Sequence, residues 1–294
     1  KKGSGILITS VIILGSIQEA GGAVADAIHY ATFKTGSKTY FNSSVFFPRD
    51  VRDDVFVLYG FVRVADNYVD QIPQDAEGFR EFCRAYRGAV RGVPSGRVII
   101  DSYVELSERH GFPQGWTDAF LASMEMDLTK KEHRTLEESL EYIYGSAEVV
   151  GLFMSKILGL PEDAYPAAQM LGRAMQFINF IRDIAEDNQL GRIYLPLGES
   201  SLEDLSLQSA EASPEEFKSF LSRQLDRYRQ WQQEAERGYR YIPKRYLVPI
   251  KTAGDMYNWT AETIATDPFI VYRRKVKPRR GRILAQVLRN ALTL

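Results

Sequence analysis

Asp66 and Asp70 stand four residues apart in the stretch Arg63-Val-Ala-Asp-Asn-Tyr-Val-Asp70. On a helix, residues i and i+4 share one face, so the two carboxylates point the same way and repel each other. A cation joining them would relieve that repulsion. A second polar set, Gln176, Asn179, Asp183 and Asp187, is spaced by three, four and four residues. At about 100° per residue these four fall within one narrow helical stripe. The residues between them include Phe177, Ile178, Phe180, Ile181 and Ile184, which makes the helix apolar nearly all round and therefore buried. Polar groups on a buried helix need a partner. Ligands that are all oxygen select a hard cation, Mg²⁺ or Mn²⁺, over zinc. Mg²⁺ commonly bridges carboxylates to phosphate oxygens, so two such stripes suit a metal-held diphosphate. Arg63, Arg182 and Arg192 flank the stripes and are candidate phosphate ligands. The plainer alternative is a solvated helix face on which Arg63 neutralises its acidic neighbours.

The elements that must position these residues read as helices. In Asp53–Val69 the apolar residues Val55, Leu58, Tyr59, Val62 and Ala65 follow helical spacing, with Pro48 just ahead of the start. Similar patterns recur down the chain, one of them spanning Thr135–Gly159 and another Ala164–Asn188. No sustained alternation of a strand appears. The expectation is one all-α domain of about ten helices over residues 25–294, preceded by an N-terminal apolar segment, residues 1–24. The run Gly5–Ile17 in that segment follows Lys1-Lys2 and is too short to cross a bilayer, which takes about 20 apolar residues. It has the charge and length of a signal-peptide core, but a terminal helix is the preferred reading.

Composition narrows the class. With 294 residues and 45% hydrophobic content the chain can bury a large core. A net charge of -1 gives no whole-chain basic excess, which argues against nucleic acid as a partner. One cysteine, Cys83, cannot form an internal disulfide and suits a reducing compartment. His29, His110 and His133 have no zinc spacing.

Taken in order, several stretches resemble the squalene/phytoene synthase family, the head-to-head prenyl diphosphate synthases. They are Gly36–Pro48 (GSKTYFNSSVFFP), Leu58–Asp70 (LYGFVRVADNYVD), Met124–Leu128 (MEMDL), Tyr142–Gly151 (YIYGSAEVVG), Gln176–Pro196 (QFINFIRDIAEDNQLGRIYLP) and Asp267–Lys277 (DPFIVYRRKVK). The resemblance implies an isoprenoid-synthase-type helical bundle around a central cavity. It implies that Asp66, Asp70, Asn179, Asp183 and Asp187 hold Mg²⁺, or Mn²⁺. Ser37, Lys38, Tyr40, Arg63, Gln176, Arg182, Arg192 and Tyr194 would bind substrate. Tyr59 and Tyr144 would lie near the reacting carbons and Tyr194 near phosphate, each with an alternative as a core tyrosine. Prenyl tails would lie along Phe33, Tyr40, Phe177 and Phe180, which are equally suited to plain core.

The implied reaction joins two prenyl diphosphates 1-1′ through a cyclopropylcarbinyl diphosphate. Two geranylgeranyl units giving phytoene is the first choice. Squalene or dehydrosqualene formation from two farnesyl units is the alternative, with NADPH needed only if the product is squalene. A non-catalytic assembly subunit is a further alternative, against which the intact stripes argue. Two departures from the family pattern stand out. Asn67 occupies the usual second aspartate of the first motif, and Glu148 replaces a glycine in the Ala-Gly-x-Val-Gly turn, putting the packing beside Tyr144 in question.

The C-terminus, YRRKVKPRRGRILAQVLRNALTL, is basic and then amphipathic, with Ile283, Leu284, Val287, Leu288 and Leu292 on one face. The expectation is a cytoplasmic protein whose C-terminus makes peripheral contact with an anionic inner membrane surface; packing of this face onto the domain is the alternative.

Overall fold

A computed structural model describes residues 47–294. The expectations for residues 1–24 and for Phe33, Ser37, Lys38 and Tyr40 lie outside the described residues. Thirteen α-helices run in chain order among them: α1 Arg49–Asp70, α2 Ala76–Val90, α3 Val98–His110, α4 Gln114–Thr129, α5 Leu136–Ile143, α6 Val149–Ile157, α7 Tyr165–Arg182, α8 Ile184–Gln189, α9 Leu207–Ala212, α10 Pro214–Glu236, α11 Lys244–Thr266, α12 Ile270–Arg273 and α13 Arg280–Thr293. A one-turn π-helix, Tyr144–Glu148, joins α5 to α6. The nearest approach to a sheet among the described residues is a single parallel bridge between Glu132 and Ile193.

Helix boundaries follow local chemistry. Helix α1 starts directly after Pro48, whose fixed φ suits a helix entrance. Helix α5 opens with a reciprocal capping box between Thr135 and Glu138. One face of α1 buries Val51, Val55, Leu58, Ala65 and Val69. Beneath it an aromatic cluster fills the core, with Phe61 stacked on Tyr103 at 3.8 Å and Phe82 and Tyr86 against the same ring. The sequence expectation of about ten helices is exceeded because two long segments are interrupted. The Thr135–Gly159 segment carries the π turn. The Ala164–Asn188 segment breaks at Asp183, whose φ of -101° and ψ of 12° leave the helical region.

Three glycines bring backbones unusually close around the π turn. A β-carbon on Gly145 would collide with the carbonyl of Ala119 on α4. One on Gly151 would collide with Ala168 of α7, and one on Gly172 of α7 with Ala147 in the π turn. The π turn is thus clamped between α4 and α7. Helix α10 lies along α7, with Trp231 edge-on to Phe177 at 5.0 Å. Helix α13 docks on α11 through Ile283 and Val287 against Met256.

Candidate active site

Helix α1 presents Tyr59, Arg63, Asp66 and Asp70 as a half-buried stripe opposite its fully buried face. Arg63 donates to Asp66 at 2.5 Å, the neutralising contact that the plainer reading anticipated. Burial, and secondarily the charge of Asp70, push the Asp66 carboxyl up to about 7 despite Arg63. Burial also raises Tyr59 to about 12, in surroundings shared by Arg63, Asp66 and Tyr257 of α11.

Helices α7 and α8, with the break at Asp183 between them, supply the second stripe. Gln176, Asn179, Asp183 and Asp187 are all half-buried, while Phe177, Ile178, Phe180 and Ile181 between them are buried. Phe180 stacks on Tyr194 at 4.5 Å, so it and Phe177 are core residues. The side-chain oxygen of Asn179 is enclosed and has no hydrogen-bond partner. Burial opposes the charge on Asp183, but Arg182 (2.5 Å) and Lys275 (3.1 Å) outweigh it and hold that carboxyl below its ordinary range. Asp187 is the opposite case. Burial, then repulsion from Asp183 and Asp70, push its carboxyl well above the ordinary range. No ion pair reaches it among the described residues.

The two stripes meet through Arg192. Its backbone N–H donates to the carbonyl of Asp187 at 2.9 Å. Its side chain donates to the Asp70 carboxylate at 2.8 Å and to the Val69 carbonyl. Arg192, expected as a phosphate ligand, is 3% exposed and bridges the two stripes. Tyr194 is likewise buried, and its hydroxyl donates to Asp127 of α4 at 2.6 Å. Asp127 also accepts from Tyr142 at 2.7 Å and lies 3.8 Å from Arg192. Burial raises the Asp127 carboxyl, although Arg192 and the two tyrosines pull it down.

Tyr144, at the start of the π turn, is 39% exposed and available to a ligand. Glu148 is buried, and the packing question it raised has a specific answer: Arg173 of α7 pairs with it at 2.7 Å. The Arg173 guanidinium also lies over the Trp231 ring at 5.4 Å.

Sequence reasoning missed Asp127, Tyr142, Tyr257, Lys275 and Lys277. The aspartate set between Met126 and Leu128 was the available signal for the first. For the lysines it was the basic run after Tyr272. Lys277 is depressed by burial and then by repulsion from Lys275 and Arg182, so three cations gather beside Asp183.

Among the described residues, no three His, Cys, Asp or Glu side chains converge in the geometry of a metal centre. Arg63, Arg182, Lys275 and Arg192 hold Asp66, Asp70 and Asp183 instead. The donor set nevertheless suits a hard cation. It is all oxygen, it lies on two adjoining stripes, and it includes the unsatisfied Asn179 oxygen. Two surface hollows of about 480 and 560 Å³ are lined by residues of α10 and of α2 with α4, and neither includes a stripe residue.

The described residues form an all-α bundle in which two acidic helical stripes adjoin through Arg192. The family model for squalene/phytoene synthase matches residues 33–282. The chain belongs to the squalene/phytoene synthase family. It is 28% identical over 251 residues to a 15-cis-phytoene synthase of Paracoccus sp. (strain N81106 / MBIC 01143), covering 82% of each chain. It is 29% identical over 258 residues to a 15-cis-phytoene synthase of Synechocystis sp. (strain ATCC 27184 / PCC 6803 / Kazusa), covering 81% of this chain and 76% of that one. The solved structure of a squalene synthase from Alicyclobacillus acidocaldarius superposes with a TM-score of 0.74 at 20% identity, covering 83% of this chain and 94% of that one. The fold expectation is thereby met.

Proposed function

We propose that this protein joins two prenyl diphosphates head to head, with two geranylgeranyl diphosphates giving phytoene as the leading reading. The observation that carries it is the adjoining pair of stripes, Asp66 and Asp70 on α1 with Asn179, Asp183 and Asp187 on α7 and α8, bridged by Arg192. The phytoene synthase relatives support the choice of substrate. Mg²⁺ bound by these oxygens would supply positive charge to the departing diphosphate.

The chain's own residues do the rest. Arg63, Arg182 and the lysines Lys275 and Lys277, which lie beside Asp66 and Asp183, would meet diphosphate oxygens. Loss of diphosphate from one substrate leaves an allylic cation, and the second substrate's double bond attacks it. Ring closure releases one proton and gives the cyclopropylcarbinyl diphosphate. Loss of the second diphosphate, rearrangement and loss of a second proton complete the 1-1′ linked product. A carbocation survives only where water is excluded, and aromatic faces favour it. Tyr59 and Tyr144 border the stripes and the π turn and would face the reacting carbons.

The deciding experiment incubates purified protein and Mg²⁺ with geranylgeranyl or farnesyl diphosphate, with and without NADPH, and identifies the hydrocarbon by mass. A C40 product supports the leading reading. A C30 product transfers the reading to squalene or dehydrosqualene formation, according to whether NADPH changes the mass. No hydrocarbon from either substrate overturns it.

The C-terminal helix adds a peripheral membrane contact to this reading. Its predicted apolar face divides in two: Ile283 and Val287 pack on α11, while Leu284, Leu288 and Leu292 are 53%, 65% and 87% exposed. Arg280 and Arg289 on the same helix suit an anionic surface. Among the described residues, no helix is long and apolar enough to cross a membrane.

A further inference from the structure

The reading above leaves Asp127 without a task. It is a buried carboxylate, 2% exposed, and two tyrosine hydroxyls from different elements converge on it. Burying a charge is costly, and a structural role alone would be served as well by apolar packing of similar volume. Its third neighbour is informative. The Arg192 guanidinium lies between two carboxylates, 2.8 Å from Asp70 and 3.8 Å from Asp127. The Nε–H of Arg192 is buried and has no acceptor, so the guanidinium is not fully satisfied where it stands. Tyr194 couples the two sides, because its hydroxyl accepts from Arg192 at 3.1 Å and donates to Asp127.

Asp70 has two claimants. Arg192 holds it, and the proposed metal site requires it. A cation bound at the Asp70 carboxylate would repel the guanidinium beside it, so engagement of the metal weakens the grip of Arg192. An arginine 3% exposed cannot turn to water for compensation.

We propose that Asp127 is a positioning residue that serves as the alternate counter-charge for Arg192, taking up the guanidinium when Asp70 turns to metal. Asp127 touches neither substrate nor metal in this role. It sets how readily Asp70 is released. The inference rests on the proposed metal-diphosphate reading and adds a residue to it.

The test measures Mn²⁺ binding directly, by the electron paramagnetic resonance signal of unbound Mn²⁺, with inorganic pyrophosphate present. In Asp127→Asn, Arg192 keeps Asp70 as its one remaining ion-pair partner among the described residues, so Mn²⁺ affinity should fall by about tenfold, the scale seen for residues supporting metal ligands. Turnover at saturating metal should stay within about threefold, since the loss is in binding. Arg192→Lys retains charge but loses the second guanidinium nitrogen that anchors the side chain on the Val69 carbonyl; this loosens its hold on Asp70 and should shift Mn²⁺ affinity the other way. Tyr142→Phe removes a hydroxyl from Asp127 without touching Arg192; it should lower the melting temperature and leave the Mn²⁺ titration in place.

Unchanged Mn²⁺ affinity in a folded Asp127→Asn protein overturns the proposal. So does weakened binding in Arg192→Lys, which also decides the matter if Asp127→Asn does not fold. If the unaltered protein binds no Mn²⁺ with pyrophosphate, the metal reading itself fails, a distinct outcome.

Discussion

At the residue scale, the two stripes make separable demands. Replacing Asp66 or Asp183 with Ala should lower diphosphate release with Mg²⁺ by at least about 10²-fold, the scale of losing one group aimed at developing charge. Release of pyrophosphate from geranylgeranyl diphosphate checks it, and full activity in either variant refutes the metal assignment. Asp66 also predicts a pH dependence. Its folded value of about 7 lies above the ordinary carboxylate value of about 3.9. Between those values the native state binds more protons than the unfolded chain, so stability falls as pH rises through the window. Chelator-treated protein should therefore melt at a lower temperature at pH 7.5 than at pH 5, and Asp66→Asn should narrow that difference. Metal and proton compete for the same oxygens, so Mn²⁺ binding should tighten over the same rise in pH. The stripes were legible in the sequence because helical spacing alone places Asp66 with Asp70 and Gln176 with Asn179. Asp127 was not, because a lone aspartate has no spacing partner. Tyr142, Tyr194 and Arg192, which give it meaning, reach it only through tertiary packing.

At the scale of elements, the break at Asp183 was hidden for a related reason. Nothing in the local pattern stops the helix there. The side chain is held by Arg182 and by Lys275 from the segment after α12, and its carbonyl accepts from the amides of both Glu186 and Asp187. The π turn was also illegible, although its consequences were partly anticipated at Glu148. That residue and Arg173 form a pair whose carboxylate is 4% exposed and whose guanidinium is 25% exposed. Removing one member of a fully buried pair costs about 3–5 kcal/mol, and the partial exposure of Arg173 lowers this to about 1–3 kcal/mol. Glu148→Ala should lose that much in urea unfolding, and Glu148→Leu with Arg173→Met should recover most of it. A double variant no more stable than the single one would show that the pair is not the source of the loss.

At the scale of the whole molecule, α13 combines docking and display. The sequence predicted one apolar face; the contact with α11 covers only Ile283 and Val287, leaving three leucines outside. Substituting Leu284, Leu288 and Leu292 together with Ser should reduce co-sedimentation with vesicles containing phosphatidylserine by more than about tenfold, given the apolar area withdrawn from the bilayer. The melting temperature should hold, since none of the three is buried. Equal sedimentation of altered and unaltered protein would exclude this surface. The glycine contacts around the π turn bear on a different property, the tolerance of the fold to mutation. At Gly145, Gly151 and Gly172 backbone meets backbone, so no side chain of any size can be accommodated without separating α4, the π turn and α7. Variation by side-chain growth is therefore closed at these three positions. Room for side chains to vary lies elsewhere, as at the exposed Tyr144 and the half-buried Val62 on α1. A saturation library should reveal this as three intolerant glycines set among permissive neighbours.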